Sequence, residues 1–259
     1  MRQFALAGIA ALVALVGLAG PARAQTETLQ FDHVHLAVPD PAKAAEWYRK
    51  NIGGEPVDKM TDRLLFGTTR VIFIKGDNAT SSAGSVIDHL GFSFADVDAK
   101  VKELETAGAK VVTPVRDVPG LFKLGFVEDP WGARLELVQD ADTLGFHHVH
   151  LRGPDPDAML TWYFEKFGGE RAKLKGRLDA LKYGTVWVLV QRGDSTPSPG
   201  HAIDHIGWLA PALDAKVAEL KGKGVKVTTE PTSLTLPSGV IRYSYEEGPL
   251  GAKLELVQR

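Results

Sequence analysis

The sequence predicts an α+β fold made of four similar modules, each a strand, a helix and then two or three further strands. Three observations carry this expectation. Two long stretches of the chain repeat each other. Each stretch divides again into two units that open on a strand and run into a helix. All eight histidines fall on or just before an opening strand.

The repeat is direct. FDHVHLAVPDPAKAAEWYRKNIGGE from Phe31 aligns with FHHVHLRGPDPDAMLTWYFEKFGGE from Phe146, VIDHLGFSFADVDAK from Val86 with AIDHIGWLAPALDAK from Ala202, and FVEDPWGARLELVQ from Phe126 with YEEGPLGAKLELVQ from Tyr245. Residues 27–139 and 144–259 are read as two copies of one domain, joined by the polar linker from Gln139 to Gly145. Self-similarity at a fixed spacing is the signature of a duplicated architecture. Within the copies, Asn78–Gly84 and Asp194–Gly200 are polar connectors between modules.

The helices are marked by their ends and their stripes. Asp40 can cap the first, with Pro41 at the first helical position, where a missing N–H does no harm. Ala44, Trp47 and Tyr48 form an apolar stripe at helical spacing, Trp162 and Tyr163 repeat it, and Gly53 suits a left-handed stop. In the second module of each copy, Val97, Val101 and Leu104 recur as Leu213, Val217 and Leu220. These stripes read as core.

Composition narrows the function. The chain has 259 residues and a formal charge of −2 without a run of Lys and Arg, so no nucleic-acid footprint is expected. Residues 1–24 read as a secretory signal peptide: Arg2, the apolar run Phe4–Gly20, then Ala22-Arg23-Ala24 before the cut. A membrane anchor competes, but the run is short for a span. Removal takes the charge to −4, leaves no membrane segment and points to the periplasm or secretion. Cysteine is absent, so any metal must be held by His, Asp or Glu.

Successive side chains of a strand face opposite ways. In the first strand Val34, Leu36 and Val38 pack under a helix, and His33 and His35 look the other way; Val149 and Leu151 pack opposite His148 and His150. His89 and His205 likewise oppose apolar faces, and Glu136 and Glu255, each between two leucines, turn to the histidine side. A carboxylate so placed is costly unless paired or bound to a cation. Each copy thus offers two imidazoles and a carboxylate on one face, His33, His89 and Glu136, then His148, His205 and Glu255. Such a set leaves coordination positions open for water, substrate or O₂.

The stretches DHVHLAVPD, IDHLGFSFADV and EDPWGARLEL resemble domains of the vicinal oxygen chelate superfamily, the glyoxalase, bleomycin-resistance and extradiol-dioxygenase group. The resemblance implies βαβββ modules that pair into two open, barrel-like sheets with helices outside and a metal site on each concave face. It also implies that the ligands are the two sets just named. Metal-dependent glyoxalases usually add a fourth ligand from the last strand of the first module, and RVIFIKG (Arg70–Gly76) and WVLVQRG (Trp187–Gly193) carry no carboxylate there. The closing motif also weakens from DPWG to GPLG in the second copy, which ranks the first set above the second.

The leading expectation is therefore an Fe²⁺ or Mn²⁺ dioxygenase acting on a small vicinal-oxygen molecule. His35 and His150 are its candidate acid–base or supporting groups, and Tyr245 or Tyr243 its candidate oxygen donors. A glyoxalase-like lyase or isomerase using Zn²⁺ or Ni²⁺ is the second reading, and a small-molecule binding protein without catalysis the third. The segments Thr113–Gly125 and Thr228–Arg242 are candidate lids.

Overall fold

The computed structural model describes residues 27–259, and the expected signal peptide lies outside the described residues. Four βαβββ modules follow one another. The first is β1 (Gln30–Val38), α1 (Pro41–Asn51), β2 (Glu55–Pro56), β3 (Arg63–Phe66) and β4 (Thr69–Lys75). The second is β5 (Ile87–Ser93), α2 (Val97–Thr106), β6 (Lys110–Asp117), β7 (Lys123–Glu128) and β8 (Arg134–Val138). The third is β9 (Gly145–Gly153), α3 (Pro156–Phe167), β10 (Glu170–Leu174), β11 (Leu178–Tyr183) and β12 (Val186–Arg192). The fourth is β13 (Ile203–Leu209), α4 (Leu213–Gly222), β14 (Lys226–Leu236), β15 (Gly239–Glu247) and β16 (Lys253–Gln258).

The helix starts form as their sequences dictate. Asp40, Asp96 and Asp155 each accept a hydrogen bond from the backbone N–H three residues on, at 3.1, 2.9 and 3.1 Å. The start of α4 has Ala212 in this position and no side-chain cap. Val97, Val101 and Leu104, and their counterparts Leu213, Val217 and Leu220, are all buried against the sheets. Among the described residues no helix is long and apolar enough to cross a membrane.

The sheets do not follow the copies. One eight-stranded sheet runs β14-β15-β16-β13-β1-β4-β3-β2, joining the first module to the fourth. The other runs β10-β11-β12-β9-β5-β8-β7-β6, joining the third to the second. Opening strands meet antiparallel at the centre of each sheet, β1 on β13 and β5 on β9. The sheets are open, with the helices packed on their outer faces, and one apolar core containing residues of all four modules lies between helices and sheets. Phe31, Phe146 and Trp208 tie the two sheets together, with Phe31 6.3 Å from Phe146 and 5.5 Å from Trp208 between ring centroids.

Candidate metal centres

This pairing regroups the candidate ligands. His33, His89 and Glu136 do not come together, and neither do His148, His205 and Glu255, because each set is split between the two sheets. The clusters that form are His33, His35, His205 and Glu255, and His89, His148, His150 and Glu136; within each, one potential donor atom per residue lies within 4.8 Å of all the others. The physical reason is the antiparallel contact of the opening strands. It sets His35 opposite His205 and His150 opposite His89, so every cluster draws on both copies.

Two glycines make the clusters possible. Across the first sheet, Glu255, Gly207 and His33 stand in one row on β16, β13 and β1. Glu136, Gly91 and His148 form the matching row on β8, β5 and β9. With strands spaced about 4.8 Å apart, the outer pair can meet only by leaning over the middle residue. A methyl on Gly207 would overlap the His33 ring, and one on Gly91 the His148 ring. Neither glycine is there for backbone freedom; each makes room for an imidazole from the other copy.

In the first centre Nε2 of His33 and Nε2 of His205 lie 3.2 and 2.9 Å from the same oxygen of Glu255. In the second, Nε2 of His89 and Nε2 of His148 lie 3.0 and 3.1 Å from one oxygen of Glu136. The far ring nitrogens are held as well. Nδ1 of His33 is 2.7 Å from Asp32, Nδ1 of His89 is 2.7 Å from Asp88 and Nδ1 of His205 is 2.5 Å from Asp204. In the neutral ring a carboxylate on Nδ1 fixes the hydrogen there, which leaves Nε2 as a lone pair. In the first centre two such lone pairs then face one carboxylate oxygen in a buried site. A single shared cation satisfies all three at once, so the donor set fits a divalent metal.

Protons compete for the same nitrogens. Burial pushes the Glu255 carboxyl up, but the charge of His33 and hydrogen bonds from His205 and His33 outweigh it and hold the group well below its ordinary range. Burial at Glu136 is likewise outweighed by hydrogen bonds from His148 and His89. Burial lowers His33, yet Glu255 and Asp32 win and raise it to about 9. His89 is also raised, its hydrogen bonds to Asp88 and Glu136 exceeding the cost of burial, whereas at His148 burial prevails and the value falls. His35 and His150 are driven well below the ordinary range by burial and by the neighbouring histidines, so both rings are neutral, and Nδ1 of each is buried without a hydrogen-bond partner among the described residues.

The surroundings of the two centres differ. A cavity of about 270 Å³ opens against His33, His35 and Glu255. Its walls include Ile72, Ile74, Tyr243, Tyr245, Arg63 and Arg259, and Leu234, Leu236 and Ile241 of the β14–β15 hairpin close one side. Tyr245 stacks edge-on to His205 at 5.3 Å. Burial and the nearby Glu255 raise its phenol, which therefore stays protonated. In the second centre Phe126 takes the place of Tyr245, 5.2 Å from His89. Pairing through β3 and β4 places Arg63 beside Ile72, and the matching pair on β11 and β12 is Ala180 beside Leu189. Ala180, Leu189 and Leu174 form a small apolar cluster on which Phe122, from the β6–β7 turn, packs. Of the two candidate lid segments, the second walls a cavity beside its centre, and the first seats Phe122 on that cluster, 5.7 Å from the His147 ring. The cavity also adjoins the Glu255 strand, after the weakened GPLG turn, so the ranking by closing motif does not carry over.

Several participants escaped the sequence reading. Asp32, Asp88 and Asp204 each precede a histidine, a pairing visible in the sequence, but strict alternation assigns them to the opposite face. Irregularities in register between Phe31 and His33, between Ile87 and His89, and between Ile203 and His205 re-aim all three. Arg63, Arg70 and Arg259 had no signal of their own, since what they face depends on the pairing of modules.

Comparison with known proteins places this geometry. The model of the Glyoxalase/Bleomycin resistance protein/Dioxygenase superfamily matches residues 30–137 and 145–256. Glyoxalase I from Zea mays superposes with a TM-score of 0.69 at 19% identity, covering 89% of this chain and 92% of that one. A Bacillus subtilis structure titled "putative dioxygenase" superposes with a TM-score of 0.63 at 18% identity, covering 90% and 86%. At these identities the likeness concerns the fold. The Mycobacterium tuberculosis protein named "Putative glyoxylase CFP32" is 26% identical over 174 residues, 61% of this chain, and the match spans 64% of the relative's length. With both copies matched by the family model, the chain belongs to the glyoxalase/bleomycin resistance protein/dioxygenase superfamily.

Proposed function

We propose that the chain is a divalent-metal enzyme of the dioxygenase type that acts on a small molecule with two adjacent oxygens, at the centre formed by His33, His205 and Glu255. One observation carries the reading: two imidazole nitrogens and one carboxylate oxygen converge beside a cavity of about 270 Å³ whose walls are largely apolar. Bound Fe²⁺ or Mn²⁺ would supply a centre for chelating both substrate oxygens and a position for O₂. His35 is the candidate acid–base group, since its ring lines the cavity and its buried Nδ1 has no hydrogen-bond partner among the described residues. Tyr245, kept protonated, would donate a hydrogen bond to a substrate oxygen, with Tyr243 at 5.3 Å behind it. Ile72, Ile74 and Leu236 would hold the carbon skeleton and exclude water. His150 is the matching group of the second centre, its Nδ1 4.0 Å from Glu136.

The test is oxygen uptake by metal-loaded protein with a panel of catechols, alongside elemental analysis. Stoichiometric metal with uptake that His35→Ala suppresses supports the reading. Metal-free protein that binds catechols unaided would overturn it in favour of a non-enzymatic binder.

A second reading, a glyoxalase-like lyase or isomerase with Zn²⁺ or Ni²⁺, is favoured by one feature. His35 brings a fourth donor atom into the cluster, in place of the carboxylate missing from β4. Isomerisation of a hemithioacetal without oxygen uptake would select it. Export through residues 1–24 belongs to the same proposal and is checked by N-terminal sequencing of protein recovered from the periplasm.

A further inference from the structure

The two centres are related by the repeat, yet one pair of supporting positions has exchanged its chemistry. At the first centre Asp32 lies on Nδ1 of His33 and is gripped by Arg259 at 2.9 and 3.0 Å and by Arg70 at 3.0 Å. In the other copy the position of Asp32 is occupied by His147 and that of Arg259 by Asp140. Nδ1 of His147 lies 2.8 Å from Nδ1 of His148, its Nε2 lies 3.3 Å from Asp140, and Lys175 holds Asp140 at 2.7 Å. One assignment of hydrogens satisfies this chain: His148 donates from Nδ1 to His147, and His147 donates from Nε2 to Asp140. The other supporting pair is the same at both centres, Asp88 on His89 with Arg134 behind it and Asp204 on His205 with Lys253 behind it.

We infer that this exchange makes the two centres unequal metal sites: the His33–His205–Glu255 centre binds a divalent cation more tightly and fills first, and the His89–His148–Glu136 centre is the weaker. The inference rests on the metal reading above. A carboxylate on the far nitrogen of a ligating imidazole adds negative charge to the ring and strengthens Nε2 as a donor. At His148 that carboxylate stands one imidazole further away, and a neutral ring touches the ligand instead. The arginines on Asp32 temper this effect without abolishing it, since Asp32 touches the ring at 2.7 Å and the guanidiniums contact the carboxylate; Asp140 is tempered in the same way by Lys175, so the imidazole standing between carboxylate and ligand is the difference that remains. Changes of this supporting kind alter metal affinity by about 10- to 100-fold.

The experiment is a titration of the metal-free full-length protein with Co²⁺, followed by calorimetry and by the visible absorption of the bound ion. Two sites differing by about 10- to 100-fold are expected. Glu255→Gln should remove the tighter and Glu136→Gln the weaker, which identifies them. Asp32→Asn, which keeps the shape and removes the charge, should weaken the tighter site by the same factor and leave the other in place. His147→Asp combined with Asp140→Arg rebuilds the first arrangement at the second centre and should tighten it. Equal affinities in the unaltered protein, a reversed order, or two sites indifferent to both exchanges would overturn the inference alone. Absence of Co²⁺ binding at both centres would overturn the metal reading as well.

Discussion

The two centres carry the same three donors at matching positions and stand in different surroundings. The His33–His205–Glu255 centre adjoins a cavity with two guanidiniums and two phenols in its wall, whereas beside His148, His89 and Glu136 the place of Arg63 is taken by Ala180 and that of Tyr245 by Phe126. On the proposed reading, holding a cation and admitting a substrate are therefore separable properties of this fold. The row of Glu, Gly and His across three central strands supplies the first, and the outer strands and hairpins supply the second.

The comparison is most directly broken by removing one carboxylate at a time. Glu255→Gln should reduce turnover by more than about 100-fold, since even supporting residues cost up to that much. Glu136→Gln should cost far less while removing a comparable amount of bound metal. Equal losses of turnover would make the two centres functional equals.

A large effect on stability is expected at Glu246, the counterpart of Val127. It is fully buried on β15, with one oxygen accepting a hydrogen bond from Ser244 at 2.6 Å and the other without a partner among the described residues. Burial, opposed only by that bond, pushes its carboxyl from 4.5 up to about 7. The folded protein thus keeps a proton that the unfolded chain gives up, so this group's contribution is fully present below about pH 4.5 and is lost as the pH rises through 7. Above that it costs on the order of 3 kcal/mol. Glu246→Gln should raise the melting temperature at pH 8 and give no gain at pH 4, read by thermal denaturation at both.

Gly207→Ala should cost about 1–3 kcal/mol by overpacking against the His33 ring and should also displace that ligand. Gly91→Ala should do the same at His148. Denaturant unfolding combined with metal content checks both, and loss of stability with metal retained would separate packing from ligand placement. The smallest effect is expected at Ala212, exposed and uncapped where Asp96 caps the matching helix. Ala212→Asp should add about 1 kcal/mol, measured by the same unfolding curves.

Local order was legible in the sequence to the extent that it rests on periodicity. Alternation along β1 separates His33 and His35 from Val34 and Leu36, and Asp40 and Pro41 announce α1. The six candidate donors could be read one strand at a time. Their grouping could not, because it depends on which opening strands meet. In the chain both DH-x-G stretches, Asp88–Gly91 and Asp204–Gly207, hold the clue as a small residue two places after a histidine. What fills the space above each glycine becomes visible only when β13 lies against β1 and β5 against β9.

Because each sheet takes one module from each copy, an unfused single copy would have to associate with a twin to complete a site, and every substitution in it would then appear twice. Covalent joining lifts that constraint. Position 32 can hold aspartate while its equivalent at 147 holds histidine, so the two halves are free to drift toward separate duties without either losing its scaffold.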